Sequence, residues 1–341
     1  MADKTTSSPP TIRDVAAQAG VSVGTVSRVL NGKSVSNRVL ALVNTAIQKL
    51  GYSPNAVAQS MRTKSTRAVG LIINDISNPL FSGIAKSLDD CLSENEYSLL
   101  IASTNNDSRR ERVIVESLKQ RRVDGLVIAV TDERDEGIKS VLRNVEFPIV
   151  LLDRDLDISA DSIWDEHASG MKKALRYLFD LGHQDVALIT GDDSIRPGRE
   201  RARGFREAFK ENGRQVPENR VIQGRLNSQF GYEEASRLFE SSNRPSAVIA
   251  GGNQILSGIL RAIRQRNIRV PEDLSLISCD EVDIAALMDP PITVISRDIV
   301  QVGQAAANIL LRRINGDVSN SHSRQFIATE LVVRESCAPL H

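Results

Sequence analysis

The chain has 341 residues, of which 41% are hydrophobic and 25% are charged, so its composition is that of a globular protein with two or three domains. Its 43 basic and 43 acidic residues balance, and no apolar run approaches the roughly 18 residues that a membrane span needs. The first ten residues, MADKTTSSPP, lack the apolar centre of a signal peptide. Cys91, Cys279 and Cys337 show neither a metal-ligand spacing nor a disulfide framework, so we expect a cytoplasmic protein without a metal or cofactor.

The segment 11–32, TIRDVAAQAGVSVGTVSRVLNG, predicts two short helices joined by a tight turn. Thr11 is suited to begin the first helix and Gly20 to end it, and Ser22 is suited to begin the second. A second helix of this kind presents its early residues to base edges in a DNA groove. A helical hairpin packed in a protein core is the alternative. The outward face has one arginine, two hydroxyls and no acid, whereas a solvated helix normally mixes both charge signs. Its members are Val23, Gly24, Thr25, Ser27 and Arg28.

The charge distribution supports binding of nucleic acid by the first part of the chain alone. Residues 1–66 contain eight basic and two acidic side chains, and the remainder has an excess of acids. A basic head on an acidic body binds phosphate through the head. A third helix is predicted over 38–50, and the segment PNAVAQSM (54–61) predicts a short helix before a polar, basic linker.

From Ala68 onward, short apolar runs alternate with longer helical patterns. Such runs predict parallel sheets covered by helices on both faces, in two similar α/β lobes with a ligand cleft between them. No glycine-rich phosphate loop follows the first run, which argues against a dinucleotide enzyme or an NTPase. The seven strand-like runs are 68–73, 98–102, 124–130, 148–152, 185–190, 246–250 and 274–278.

With these features the chain resembles the LacI/GalR (lactose-repressor) family of bacterial transcription regulators. The resemblance rests on the segment 11–32, on PNAVAQSM, on Gly182-His183, on Arg201 before Gly204-Phe205, on VPEDLSLISCDE (270–281) and on PPITVI. It implies an α-helical helix-turn-helix headpiece (1–52), a hinge helix and linker (53–66), and an α/β two-lobed core with parallel sheets, like that of periplasmic binding proteins. The lobes would comprise 67–165 with 297–325, and 166–296 with 326–341.

The resemblance further implies a repressor that binds a near-palindromic double-stranded DNA operator as a homodimer. A small sugar-like effector would control its affinity. No heptad tail follows Val333, which favours a dimer over a tetramer. A solute-binding protein with no role on DNA and an α/β enzyme are the alternatives. The first would lack the head, and no catalytic set supports the second.

Carried over residue by residue, the family's DNA contacts fall on three groups of positions. Val23, Gly24 and Arg28 match base-reading positions, and an arginine reads guanine through two hydrogen bonds. Met61 matches an apolar wedge for the central minor groove, on a helix also lined by Asn55, Ala58 and Gln59. This chain has Val39-Leu40 where the family usually has a Thr-Arg pair, so one backbone contact is not carried over. Phosphate or capping positions fall on Thr11, Ser22, Thr25, Ser27 and Asn31.

The expected effector site lies at strand ends. Arg201 and Asp280 match family effector positions, and Asn74, Asp75, Asp153 and Asn253 lie at matching strand ends. Gly252-Asn253 and Glu166-His167 depart from the family pattern, so its neutral-sugar contacts cannot be assumed.

Additional arginines distinguish this expected site. Arg154, Arg196 and Arg199 would favour a sugar acid or sugar phosphate, because arginine binds such anions bidentately. Structural ion pairing is the alternative explanation of these arginines. Trp164 is predicted either to stack on the effector or to serve simple packing.

Overall fold

The computed structural model describes residues 10–53, 65–217, 219–317 and 321–340. The chain divides into two compact units, residues 1–66 and residues 67–341. Among the described residues, no helix is long and apolar enough to cross a membrane.

The first unit contains three helices in its described part, α1 (Ile12–Ala19), α2 (Val23–Leu30) and α3 (Asn37–Leu50). Gly20 and Gly51 follow α1 and α3 with φ of 65° and 60°, the left-handed conformation that glycine adopts at helix ends. Ser22 begins α2, and its hydroxyl accepts a hydrogen bond from the Thr25 amide at 3.1 Å. The predicted helix-turn-helix is therefore present, with its local capping as expected.

One apolar core joins these three helices. Its fully buried members come from each helix and include Val15, Val26 and Val43. Leu42 of α3 lies outside this core and is 44% exposed.

The second unit is built on two six-stranded sheets. The first sheet has the strand order β11-β5-β4-β3-β1-β2, and the second has the order β12-β10-β9-β8-β6-β7. The strands are β1 (Ala68–Ile73), β2 (Ser98–Ser103), β3 (Gly125–Ile128), β4 (Ile149–Leu152), β5 (Asp161–Asp165), β6 (Val186–Gly191), β7 (Val221–Gly224), β8 (Ala247–Gly251), β9 (Ser275–Cys279), β10 (Thr293–Arg297), β11 (Arg324–Ile327) and β12 (Thr329–Val332).

Helices lie between most successive strands, as the alternating pattern predicts, whereas β5 follows β4 and β12 follows β11 without a helix. The helices are α4 (Pro79–Glu94), α5 (Ser108–Gln120), α6 (Glu136–Arg143), α7 (His167–Asp180), α8 (Arg196–Glu211), α9 (Ser228–Glu240), α10 (Asn253–Arg266), α11 (Asp283–Leu287) and α12 (Ile299–Ile314). Separate apolar clusters cover the two faces of each sheet.

All seven predicted strands are present, but the count of seven was too low. The five additional strands are β5, β7, β10, β11 and β12, which are short or polar and so give a weak apolar signal. Pairing is parallel in the first sheet, whereas β12 pairs antiparallel with β10 in the second. The expectation of parallel sheets therefore holds for all strands except this edge strand.

Chain crossings bring the two sheets together. The chain passes from the first sheet to the second after β5 and after β11, and returns after β10. Gly204 of α8 lies against α7 so closely that a Cβ there would be 2.6 Å from the Ala168 Cα. Because the chain crosses between the sheets in this way, the carboxyl ends of the parallel strands in both sheets surround one cleft.

Candidate functional site

The outward face of α2 is the first candidate site. Val23, Gly24 and Arg28 are exposed on this helix, as the base-reading assignment requires. Asp14 is the only acid within residues 10–53, and its carboxylate accepts hydrogen bonds from the Thr11 amide and hydroxyl, each at 2.7 Å. These hydrogen bonds lower the pKa of Asp14. The exposed face of α2 therefore presents a cation without a competing acid on the same helix.

The other sequence-predicted residues of this region have local hydrogen-bond roles. The hydroxyls of Ser22 and Thr25 lie 2.9 Å apart at the start of α2. At its end, the Asn31 side-chain amide donates to the Ser27 carbonyl at 2.5 Å. Asn55, Ala58, Gln59 and Met61, predicted to contact the minor groove, lie outside the described residues.

The second candidate site is a cavity of about 520 Å³ in the second unit. Its walls come from the strand ends of both sheets and from the amino-terminal turns of α4 and α10. Seven predicted effector residues line it, whereas Trp164, Arg196 and Arg199 do not. The seven are Asn74, Asp75, Asp153, Arg154, Arg201, Asn253 and Asp280.

Buried charged side chains form one wall of the cavity. Arg297 lies at the centre: its Nη2 is 3.0 Å from Asp280 Oδ1, its Nη1 is 3.5 Å from Asp153 Oδ2, and it is also paired with Asp165. The Arg201 Nη1 donates to the Gly251 carbonyl at 2.7 Å, and its Nη2 lies 3.5 Å from Asp280. We call Asp153, Asp165, Arg201, Asp280 and Arg297 the ionic cluster.

Burial and pairing set the protonation of the ionic cluster and its neighbour His167. Burial raises the pKa of Asp165 to about 7, although Arg297 opposes this. Burial lowers the pKa of His167 to about 4, so its ring is neutral at pH 7. Burial alone would raise the pKa of Asp153, but His167, 2.5 Å away, together with Arg297 and Arg196 brings it well below its usual value.

Three buried polar atoms of the ionic cluster have no hydrogen-bond partner among the described residues. They are the Nε atoms of Arg201 and Arg297 and the Oδ1 atom of Asp165. Buried polar groups of a folded protein are normally paired. All three atoms belong to side chains that line the cavity. Two donors and one acceptor without partners match a ligand that carries hydroxyl groups, since a hydroxyl both donates and accepts.

Asp153, Asp165 and His167 also have potential metal ligands within 4.8 Å of one another. The Asp153 carboxylate is already bound by Arg196 at 2.7 Å, and Asp165 is bound by Arg297. Guanidinium groups thus supply the positive charge that a divalent cation would bring, so the arrangement fits an ion-pair cluster better than a metal site.

The extra arginines predicted to attract an anion have protein partners. Arg154 donates to the carbonyls of Val130 and Asp153 at 2.6 and 2.9 Å. The Arg196 guanidinium binds Asp153 and lies 4.5 Å from the centre of the Trp164 ring. Arg199 pairs with Glu133 at 2.6 Å.

Trp164 also has protein partners, both for its N–H group and for its ring. Its indole N–H donates to the Arg154 carbonyl at 2.8 Å, and its ring meets Phe326 edge to face. These contacts fit the structural explanation of Arg196, Arg199 and Trp164.

Several contacts connect the two sheets across the cavity. The Asn253 amide donates to Asn78 at 2.7 Å, and the Gln254 amide donates to Asp75 at 2.8 Å. Glu133, in the loop after β3, accepts from the backbone amide of Arg196 at 2.6 Å, at the start of α8. The position of one sheet relative to the other is thus set by residues that line or adjoin the cavity.

Sequence reasoning missed Asp165, Arg297 and Glu133, and it noted His167 only as a departure from the family pattern. Asp165 and Arg297 are the last residues of β5 and β10, two of the five strands that were not predicted. The sequence signal for each was a charged residue directly after a short, partly apolar run: Asp165 follows SIW, and Arg297 follows TVIS. No local sequence signal identified Glu133, because its partner Arg196 lies more than sixty residues away.

Comparisons with known proteins agree with this architecture. Residues 11–55 match the family of bacterial regulatory proteins called the lacI family, and residues 175–337 match the periplasmic binding protein-like domain. The ribose operon repressor of Escherichia coli (strain K12) is 33% identical over 306 residues, which cover 89% of this chain and 93% of that protein.

Two solved structures extend the comparison. The lac repressor dimer bound to operator and an anti-inducer has a TM-score of 0.85 and 27% identity, and the match covers 97% of this chain and 100% of that one. A LacI family regulator from Enterococcus faecium with bound ribose has a TM-score of 0.72 and 26% identity, covering 80% and 100%. The chain belongs to the lacI family of bacterial regulatory proteins and is a DNA-binding transcriptional regulator with an effector-binding core.

Proposed function

We propose that the protein is a repressor whose affinity for a near-palindromic operator is controlled by a neutral sugar bound in the cavity. The observation that carries the sugar assignment is that Arg201, Arg297 and Asp165 line the cavity and each has a buried polar atom without a hydrogen-bond partner among the described residues. The related regulator with bound ribose and the ribose operon repressor support this class of ligand. As a DNA-binding regulator it acts in the cytoplasm, and no catalytic role is proposed.

The charge of the cavity favours an uncharged sugar over a sugar acid or sugar phosphate. Acids and bases are nearly balanced in its lining, and the deepest arginines are held by aspartates. An added anion would have to compete with these carboxylates. The charged lining residues are the aspartates 75, 132, 153, 165, 192 and 280 and the arginines 134, 154, 201, 225 and 297.

On DNA, two copies of α2 lie in successive major grooves, one for each half of the operator. Val23 contacts a thymine methyl group and Arg28 binds a guanine, whereas Thr11, Ser22, Thr25, Ser27 and Asn31 contact or orient the backbone. Met61 inserts into the central minor groove, with Asn55, Ala58 and Gln59 on the same hinge segment.

Sugar binding changes the relative position of two lobes, one built on the first sheet and one on the second. The predicted lobe boundaries at 296/297 and 325/326 are moved to follow Arg297 and Ile327, because β10 belongs to the second sheet and β11 to the first. Cross-sheet contacts such as Asn253 to Asn78 lie in the cavity wall, so the ligand has different contacts in different lobe arrangements. This difference is what allows a ligand to shift a population between two states.

The proposal is tested with DNA selected by the protein from a random pool. We expect the selected sites to be near-palindromic, and binding in a mobility-shift assay to weaken steeply with salt. A neutral sugar from a panel including ribose and cellobiose is expected to change this binding, and its acid or phosphate is not. Absence of any sequence preference would contradict the operator assignment. A response confined to the anionic compounds would contradict the neutral-sugar assignment.

A homodimer is part of the proposal, and exposed apolar side chains on α11 support it. Leu287 is 83% exposed and Ile284 is 43% exposed, on adjacent turns of one helix. We expect Leu287→Asp to convert the dimer to a monomer, because a charge in an apolar interface is desolvated without a partner. Sedimentation velocity measures this, and Leu340→Asp, at another exposed leucine, is the control. A dimer that persists at low micromolar concentration would place the interface elsewhere.

A further inference from the structure

Glu111 is a fully buried carboxylate whose role the effector site does not explain. It lies in the first turn of α5, and its side chain is 0% exposed. Its Oε1 accepts hydrogen bonds from the Thr131 amide at 2.9 Å and from the Thr131 hydroxyl at 3.1 Å. Its Oε2 has no hydrogen-bond partner among the described residues. Burying a carboxylate is costly, and apolar packing would not need one.

A chain of hydrogen bonds leads from Glu111 to the cavity. The Thr131 hydroxyl has a single proton. With that proton donated to Glu111, its oxygen accepts from the Asn74 amide and from the Thr104 hydroxyl, each at 3.2 Å. Asn74 is thereby oriented with its carbonyl oxygen toward the Arg154 Nη2, 3.3 Å away. Asn74, Thr131 and Arg154 all line the cavity, whereas Glu111 does not.

We propose that Glu111 is a positioning residue for the effector: through Thr131 it fixes which polar atoms of Asn74 face the ligand. This inference rests on the proposed sugar site. When Glu111 accepts the hydrogen bond from Thr131, the side-chain oxygen of Asn74 accepts a hydrogen bond from Arg154, and one of the Asn74 N–H groups donates to Thr131. Its second N–H is left for a ligand oxygen. Removal of Glu111 frees the Thr131 proton, and Asn74 loses its fixed orientation.

The charge of Glu111 changes near neutral pH. Burial raises the pKa of Glu111 to about 7 against the opposing influence of Thr131 and Arg154. Asp135, which also faces Glu111, favours the protonated form, but it is paired with Arg112 at 2.6 Å. A charged acceptor makes a stronger hydrogen bond than a neutral one, so the ionised form orients Thr131 and Asn74 better. The orienting effect is therefore strongest well above pH 7, and it weakens as the pH falls through about 7.

The direct test follows the Asn74 side-chain amide by NMR in the full-length protein, with the signal assigned by its loss in Asn74→Ser. In the wild type we expect this resonance to titrate with a midpoint near pH 7. In Glu111→Gln, which retains the acceptor oxygen without the charge, we expect no such titration. In Glu111→Ala the resonance should be displaced at every pH. Glu116→Gln, at a half-exposed site on the same helix, should behave as the wild type.

Ribose affinity provides the functional readout. We expect Glu111→Gln to bind ribose at pH 8 about threefold or more weakly than the wild type, since a charged hydrogen bond is roughly twice as strong as a neutral one. The ribose affinity of this variant should then depend on pH only through the cavity residue Asp165, whose pKa is also about 7. Glu111→Ala should bind more weakly still.

An Asn74 resonance that is identical in the wild type and both Glu111 variants would overturn the inference, whether or not ribose binds. So would equal ribose affinities of the wild type and Glu111→Ala. If wild-type protein fails to bind any sugar but Asn74 responds as expected, the positioning role stands and the sugar assignment fails.

Discussion

Substituting Arg201 with alanine is expected to abolish sugar binding while the protein still binds its operator. The side chain is 3% exposed, lines the cavity and holds the Gly251 carbonyl and Asp280. Its Nε is one of the open donors of the ionic cluster. Truncating one partner of a buried, charged hydrogen bond costs about 2–5 kcal/mol, which corresponds to a loss of affinity of at least about 30-fold. Asp280 keeps Arg297 as a partner at 3.0 Å, so the fold should survive.

Isothermal titration of the full-length variant with the sugar that the wild type binds measures this loss. Arg201→Lys should not restore binding, because an ammonium group cannot reproduce the planar guanidinium contacts. Arg264→Ala, on an exposed face of α10, is the control and should bind sugar as the wild type does. Operator binding by Arg201→Ala shows that the variant is folded. Sugar binding by Arg201→Ala within a fewfold of the wild type would remove Arg201 from the effector site.

The features that the sequence predicted well depend on local interactions. Gly20 and Ser22 end one helix and begin the next through backbone geometry and a hydrogen bond three residues away. The seven strands with continuous apolar runs were also identifiable, because both faces of a central parallel strand are buried. In contrast, β11 (RQFI) has three exposed residues at a sheet edge, and its apolar signal is correspondingly weak.

The site was predictable only in part, because local patterns identify strand ends but not the contacts between distant segments. Strand-end reasoning selected Asn74 and Asp153, and the family resemblance selected Asp280; all three line the cavity. Strand-end reasoning failed for Asp165, because the strand that carries it was not recognised. Which arginines are free and which are paired depends on contacts between distant segments, such as Arg196 with Asp153, and no local pattern encodes them.

Substituting Arg28 with alanine is expected to weaken operator binding and to relax base preference at one base pair in each half-site. Arg28 is exposed on α2, and no ion pair holds it among residues 10–53, where Asp14 is the only acid. Val23 and Gly24 on the same face cannot donate side-chain hydrogen bonds. A bidentate contact between arginine and guanine contributes about 1–3 kcal/mol of discrimination, so about a five- to 150-fold loss is expected for the selected operator.

The diagnostic measurement is the base preference of the variant, because lost charge alone also weakens binding. Lys49→Ala is the control: Lys49 is an exposed cation on α3, outside the predicted reading helix. If Lys49 contributes through its charge, its loss should weaken binding to all DNA sequences alike and leave the selected consensus unchanged. Arg28→Ala should instead lose one position of the consensus, at symmetric places in the two half-sites. A consensus that Arg28→Ala leaves intact would show that Arg28 contacts phosphate, and the guanine contact would have to be assigned to another side chain.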